Sequence, residues 1–207
     1  MKPSIRWMTA SLLAATALAF VVPASAIGVS SHDPARMPAG DYVLDKSHAS
    51  LIARVAHMGF SRYAIRFNKL DASFSYDPAA PGAAKITVSV DPLGIDTGAP
   101  AFDKQLNGPG WFNSPAFPAI SFVSTEVKPG VEGKGTVTGD LTWLGVTRPV
   151  TLDVVWNGVG SGMIPGGVRT GFSATGHLKR ADFGNKTYFP IVADDVDLEI
   201  EVEFFRK

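Results

Sequence analysis

The feature that most constrains the fold is a strict alternation of apolar and acidic residues near the C-terminus. In the segment DVDLEIEVEFF, residues 195–205, every second side chain is a carboxylate up to Glu203. Successive residues of a β-strand point to opposite faces of a sheet, so this pattern predicts a strand with one face in water and one face buried. The buried face consists of Val196, Leu198, Ile200, Val202 and Phe204.

The same period of two recurs along most of the chain from Asp41 onward. It is clear in SLIARVAH (50–57), in AKITVSV (84–90) and on both sides of the glycine in GDLTWLGVTRPVTLDVVW (139–156). About eight such segments follow one another at hairpin spacing, joined by turns rich in glycine and proline. This predicts an all-β fold, an antiparallel sheet closed into a barrel or sandwich. One segment, AISFVSTEV (119–127), fits either of two opposite inward faces.

One stretch does not fit a strand. In APAFDKQLNG (99–108), Phe102 and Leu106 are four residues apart, a spacing that places them on one face of a helix. Pro100 is suited to a helix start, and Gly108-Pro109-Gly110 would end the helix. The sequence therefore predicts one short helix near residues 100–107.

The N-terminus is typical of an exported protein. Lys2 and Arg6 precede an apolar run, and Ala24-Ser25-Ala26 matches a small-residue cleavage site. We expect a cleaved signal peptide over 1–26, a flexible leader over 27–40, and one domain over 41–207. This predicts a periplasmic protein without an integral membrane segment after cleavage.

Composition excludes several classes of function. The chain has 19 basic and 19 acidic residues; without Lys2 and Arg6 there are 17 basic residues, and the net charge is −2 with neutral histidines. The overall charge of so nearly neutral a chain gives no electrostatic reason to bind nucleic acid or an anionic membrane surface. It contains no cysteine, which rules out disulfides and thiolate metal sites.

Motifs for catalysis and for metal binding are scarce. The four histidines, His32, His48, His57 and His177, lack the close spacing of a metal site, and no G-x-S-x-G motif is present. We expect no cofactor, no metal and no enzymatic activity, although a hydrolase whose residues meet only in space stays open.

Aromatic residues are abundant on the predicted inward faces. A solid core is the simplest explanation, but an eight-stranded barrel is also just wide enough to hold one small ligand. The small residues Gly139, Ala174 and Gly176 lie on or near this apolar face. Small residues between large ones leave room, so the pattern favours a cavity.

Four segments in one order resemble the YceI-like proteins. They are DYVLDKSHASLIARVAHMGFSRYAIRF, GIDTGAPAFDKQLNGPGWFNSPAFPAISFVSTEV, VTGDLTWLGVTRPVTLDV and LKRADFG, which together span about residues 41–205. The resemblance implies an extended, lipocalin-like antiparallel barrel of the bacterial periplasm that binds long isoprenoid or related acyl lipids. It implies no catalytic residues.

This sequence departs from the family pattern at positions that bear on a ligand. Ile65 and Ala72 stand where such proteins usually have glycine, and their side chains would narrow the interior or remove a bulge. In the segment 102–110, only Asp103 and Leu106 of the usual motif are kept. A neutral head group, as in a quinone, or a fatty-acyl lipid is therefore as well supported as a prenyl phosphate.

Alternation and resemblance together give a set of candidate ligand-binding residues. Ten would line the interior, and the other two, Lys104 and Arg180, would contact a head group near the mouth. The ten are Phe60, Phe67, Phe74, Val88, Phe112, Phe122, Leu141, Trp143, Trp156 and Phe172. The alternative is a barrel with a filled core that docks a membrane redox or stress-response partner. A homodimer also stays open.

Overall fold

The computed structural model describes residues 30–161 and 167–207. The predicted signal peptide, residues 1–26, lies outside these residues. Within them, no helix combines the length and the apolar character needed to cross a membrane. The regular elements are β1 (Gly40–His57), β2 (Ser61–Phe67), β3 (Leu70–Tyr76), β4 (Lys85–Val90), β5 (Ile95–Asp96), α1 (Pro100–Leu106), β6 (Ile120–Pro129), β7 (Lys134–Trp143), β8 (Val146–Gly160), β9 (Arg169–Lys179) and β10 (Val192–Arg206).

Eight antiparallel strands form a closed barrel, as predicted. Around the barrel they follow the order β1, β3, β4, β6, β7, β8, β9 and β10, and pairing of β10 with β1 closes the ring. Strand β2 pairs with the second half of β1, and the two-residue β5 pairs with β2. The predicted helix is α1, with Pro100 in its first turn and Leu106 buried.

Antiparallel pairing gives the barrel two distinct ends. The helical end carries the β1–β2 turn (58–60), the segment 91–119 with α1, the β7–β8 turn and the connection 180–191. The terminal end carries the connections 77–84 and 130–133 and residues 30–39. In the sequence, α1 and its flanking residues connect β5 to β6 at the helical end. Within the described residues, β5 and β6 do not pair with each other.

The β7–β8 hairpin turns through two residues. Trp143 pairs with Val146, so Leu144 and Gly145 alone make the turn, with φ of 51° and 75°. Two positive φ values are the mark of a type I′ turn, whose twist suits antiparallel strands. Glycine adopts such a φ without strain, which explains Gly145.

Residues 30–39, the described part of the predicted leader before β1, pack against the barrel. Ser31 exchanges two backbone hydrogen bonds with Val159, with N···O distances of 2.7 and 2.9 Å. Pro34–Arg36 form a 3-10 turn, Met37 is buried, and the Tyr42 hydroxyl donates to the Pro38 carbonyl at 2.6 Å. The described part of the leader therefore packs onto the terminal end, because the apolar side chain of Met37 is buried there. The mostly polar composition of the leader did not indicate this contact.

The barrel interior is divided between two groups of packed side chains. The group near the helical end includes Phe67, Leu106, Phe112, Phe122 and Trp143. The group near the terminal end includes Met37, Tyr42, Phe74 and Phe204. This division along the barrel axis positions the site described next.

Candidate functional site

An apolar cavity of about 180 Å³ lies in the helical half of the barrel. Twenty of its 23 lining residues are aliphatic or aromatic, and the other three are Ser121, Arg180 and Asn185. The cavity is only partly enclosed, and its lining includes Trp111, Asn185 and Val192 of the helical end. Such a space favours an apolar ligand, because water inside it would find few hydrogen-bond partners.

Strand alternation brings the cavity wall together from nearly the whole ring. Inward positions of β1 and β10 face those of β6, β7 and β8 across the interior, and segment 107–119 adds two aromatic rings. The apolar wall comprises Leu51, Ala53, Val55, Ile65, Phe67, Val88, Val90, Trp111, Phe112, Ile120, Phe122, Leu141, Trp143, Val150, Leu152, Leu178, Val192, Val196, Leu198 and Ile200.

The terminal half of the barrel is filled by aromatic packing. Phe74 stacks on Tyr42 with ring centroids 4.7 Å apart and meets Phe204 edge-on at 4.9 Å. The Trp156 indole donates to the Thr170 hydroxyl at 2.8 Å, which satisfies its N–H. These contacts leave the cavity confined to the other half.

Seven of the twelve predicted ligand-binding residues line the cavity. They are Phe67, Val88, Phe112, Phe122, Leu141, Trp143 and Arg180. Phe74, Trp156 and Phe172 face inward but belong to the filled half. Phe60 and Lys104 lie on the surface. Phe60 has 83% of its area exposed because it lies in the turn between β1 and β2. Contact of any of them with a ligand stays a prediction.

The glycines of the apolar face do not create the cavity. A Cβ at Gly139 would collide with the Phe122 ring and lie 2.6 Å from the Val123 carbonyl oxygen. A Cβ at Gly176 would lie 2.5 Å from a methyl carbon of Leu152. The space beside both glycines is therefore occupied by neighbouring wall residues. The sequence argument that small residues leave room for a ligand is wrong at these two positions.

Arg180 is the one cationic residue of the cavity wall. It is 4% exposed and donates to the carbonyl oxygens of Val192, Ala193 and Thr187 at 2.7, 2.7 and 2.9 Å. It also donates to the side-chain oxygen of Asn185 at 2.9 Å. Burial lowers the pKa of Arg180, and the charge of Asp194 partly offsets this. The guanidinium thus holds the 180–191 connection and the start of β10 together beside the cavity.

Trp143 carries a buried polar atom without a partner. Its indole nitrogen finds no hydrogen-bond partner within the described residues, although the residue is only 8% exposed. The ring packs between Phe112 and Phe183, with centroids 5.3 and 5.7 Å away. An unpaired buried donor costs free energy. The nitrogen has essentially no accessible surface, so the Trp143 ring presents only apolar atoms to the cavity.

A row of aromatic rings crosses the helical end next to the cavity. Tyr63 meets Phe102 edge-on at 5.7 Å, Phe102 meets Trp111 at 6.4 Å, and Trp111 lies 5.8 Å from Tyr188. The row links β2, α1 and the 180–191 connection. Its third member, Trp111, also lines the cavity. Alternation could not predict this row, since three of its members lie outside regular strands.

Asp45, Ser47 and His48 form a polar group that resembles a catalytic triad in composition. The Ser47 hydroxyl donates to Asp45 at 2.6 Å, and the nitrogen Nδ1 of His48 lies 2.7 Å from Asp45 and 3.0 Å from Ser47. A triad histidine contacts serine and carboxylate through different ring nitrogens, whereas here Nδ1 faces both. Arg169 also binds Asp45, at 2.7 Å, and Glu203. This geometry is that of an ion-pair network away from the cavity wall.

Comparison with known proteins identifies relatives of similar sequence and solved structures of the same fold. A UPF0312 protein from Shewanella baltica strain OS185 is 37% identical over 184 residues, which are 87% of this chain and 95% of that protein. A UPF0312 protein of Shewanella sp. strain ANA-3 is 36% identical over 187 residues.

Solved structures extend the likeness to three dimensions. BcnA of Burkholderia cenocepacia matches with a TM-score of 0.70 and 26% identity, over 77% of this chain and 98% of BcnA. The Campylobacter jejuni YCEI protein matches with a TM-score of 0.66 and 30% identity, over 73% and 90%. A polyisoprenoid binding domain from Saccharophagus degradans, 14% identical with a TM-score of 0.59, shares the fold. Since the YceI-like domain model matches residues 42–204, the chain belongs to the YceI-like family.

Proposed function

We propose that this protein is a non-catalytic carrier that holds the tail of an isoprenoid or related lipid in its barrel cavity. The main observation that supports this proposal is a partly open cavity with 20 apolar residues among the 23 that line it. Each methylene group moved from water into such a space contributes about 0.8 kcal/mol. The polyisoprenoid binding domain of Saccharophagus degradans, with the same fold, supports the choice of ligand class.

The size of the cavity limits how much of a tail it can hold. Its 180 Å³ exceeds the roughly 150 Å³ of a cavity that binds benzene, and falls short of the roughly 300–1,000 Å³ of pockets for whole drug-sized ligands. One segment of a tail therefore fits as the side chains stand. A longer tail would leave through the helical end or displace half-buried wall residues such as Ile65.

The head group would be neutral. The wall has one cation, Arg180, and its guanidinium already donates four hydrogen bonds of 2.7–2.9 Å to oxygen acceptors of the 180–191 connection and of the first residues of β10. A phosphate would have to compete with these bonds, whereas a quinone carbonyl would need one donor. We propose a quinone or a fatty-acyl lipid ahead of a prenyl phosphate.

The predicted signal peptide supports a location in the periplasm. A water-insoluble lipid needs a shielding protein to cross an aqueous compartment between membranes, and the barrel supplies such a shield. We propose that the mature chain performs this carriage there.

Native mass spectrometry of the protein purified from its own periplasm tests the proposal. We expect one lipid per chain, and extraction would identify its head group. The same spectrum counts the protomers and so tests the homodimer. A lipid-free mass that stays unchanged after incubation with quinones, fatty acids and prenyl phosphates would contradict the proposal and favour a surface function.

A cavity-filling variant ties the lipid to this site. Ala53 lines the cavity and is 8% exposed, so Ala53→Phe should occupy the space of the ligand and abolish co-purifying lipid. Ala64 on the neighbouring strand is exposed, and Ala64→Phe is the matched control that should retain lipid. Equal lipid content in both variants would place the ligand elsewhere.

A further inference from the structure

The helical end carries a concentration of exposed apolar side chains. Nine large apolar residues are exposed in the described part of the chain, and five of them lie on two touching loops. The loops are the β1–β2 turn and residues 184–191 of the 180–191 connection, joined by a hydrogen bond of 2.9 Å from the Met58 N–H to the Ile191 carbonyl. We call this group the apolar rim; its members are Met58, Phe60, Tyr188, Phe189 and Ile191.

The apolar rim adjoins the cavity. Tyr188 packs against Trp111, which lines the cavity, and Val192, the residue after Ile191, also lines it. A continuous apolar path therefore runs from the surface of the two loops to the interior. Single apolar residues scattered over a protein surface are normal, whereas a contiguous exposed cluster marks a surface that binds a partner.

The charges of the two loops indicate which partner. Segments 57–62 and 184–192, which hold the apolar rim, contain Arg62 and Lys186 and no acidic residue, whereas exposed Asp182 lies at the start of the 180–191 connection. Arg62 pairs with Asp197, whereas exposed Lys186 and exposed Lys104 of α1 form no salt bridge within residues 30–161 and 167–207. Aromatic residues at loop tips with nearby lysines suit the interface of a bilayer that contains anionic lipids.

We propose that the apolar rim docks the barrel onto an anionic lipid bilayer with the cavity mouth toward the membrane. The inference rests on the proposed lipid-binding function, because a ligand that resides in a membrane has to pass between bilayer and cavity. Phe60 and Phe189, exposed by 83% and 62%, insert their rings, while Lys186 and Lys104 face the lipid head groups. The ligand then moves along the apolar path without crossing water.

Co-sedimentation of the lipid-free protein with vesicles tests this docking. The probes are phosphatidylcholine vesicles with and without phosphatidylglycerol. We expect binding that is stronger with phosphatidylglycerol and weaker at high salt. Phe60→Ser and Phe189→Ser should each lower the partition coefficient roughly tenfold.

Val131→Ser is the matched control. Val131 is 80% exposed in the β6–β7 turn at the terminal end, so its replacement removes a similar exposed side chain far from the apolar rim and should leave vesicle binding unchanged. Urea unfolding of all three variants checks that the fold is kept. Loss of binding in Val131→Ser as large as in Phe60→Ser would overturn the proposal, as would a wild-type protein that does not sediment with vesicles.

Two further outcomes separate this inference from its premise. Wild-type protein that binds vesicles yet never acquires lipid would refute the carrier function and leave the docking intact. Wild-type protein that carries lipid but binds a purified protein through Phe60 and Phe189, with no vesicle binding, would assign the rim to a protein partner and overturn the docking.

Discussion

Among single residues, Asp45 is the described carboxylate that accepts the most hydrogen bonds. Its carboxylate is 8% exposed and accepts hydrogen bonds from the Ser47 N–H and hydroxyl, from His48 and from Arg169. Burial alone would raise the pKa of Asp45, but these bonds outweigh it and hold the pKa well below the ordinary value of 3.8. The folded protein therefore favours the ionised form more strongly than the unfolded chain does.

This linkage predicts how Asp45→Asn changes stability with pH. The stabilisation by the Asp45 carboxylate is fully present above its unfolded pKa near 3.8 and is lost as the pH falls toward the lower folded pKa. At pH 7 we expect Asp45→Asn to lower the free energy of unfolding by about 2 kcal/mol. Urea unfolding should show this difference shrinking below about pH 4.

Asp71→Asn provides the control for that series. Asp71 pairs with Lys46 at 2.6 Å, but its side chain is 61% exposed, and exposed ion pairs contribute little to stability. We expect a change of less than about 1 kcal/mol at pH 7. A pH-independent loss in Asp45→Asn would show that packing, and not the charge of Asp45, stabilises the network.

At the level of elements, the inward glycines Gly139 of β7 and Gly176 of β9 should differ in how much stability is lost when each is replaced by alanine. Alanine at Gly139 would strike the Phe122 ring and the Val123 carbonyl oxygen, and backbone cannot easily move away. Alanine at Gly176 would strike a methyl group of Leu152, which can rotate. We expect Gly139→Ala to lower the free energy of unfolding by about 2–3 kcal/mol, and Gly176→Ala by less than about 1 kcal/mol, in urea titrations. Equal losses would contradict this account.

Strand β6 shows how far alternation predicts a face. The sequence left two inward sets open, Ile120 with Phe122 or Val123 with Val127. The structure buries Phe122, exposes Val123 by 49%, and shifts the register between Ser124 and Glu126. After this irregularity Val127 is half-buried again. Each set was therefore right for part of the strand, because an extra residue reverses the faces that follow it.

At the scale of the whole molecule, the closed barrel and its short helix were predictable, and the position of the cavity was not. Alternation identifies which side chains point inward but not their level along the barrel axis. Phe67 and Phe74 both point inward, yet Phe67 lines the cavity and Phe74 lies in the filled half. That level depends on the register between strands distant in sequence. The apolar rim escaped prediction for a related reason: residues 58–60 and 188–191 meet only after β1 pairs with β10.

The closed terminal end leads to the last prediction, which concerns residues 30–39. Met37 is 4% exposed against the aromatic group of the filled half, and the fully buried Tyr42 donates its hydroxyl to Pro38. A chain beginning at Gly40 loses this burial, worth about 1.5–3 kcal/mol for a methionine, and leaves the Tyr42 hydroxyl in need of a partner. We expect its free energy of unfolding to fall by about 3 kcal/mol in urea titrations, and Met37→Ser in the full chain to reproduce roughly half of that loss. Arg36→Ala, at an exposed position beside Met37, should change little. If the shortened chain unfolds at the wild-type urea concentration, residues 30–39 do not seal the barrel, and the terminal end becomes a second route to the interior.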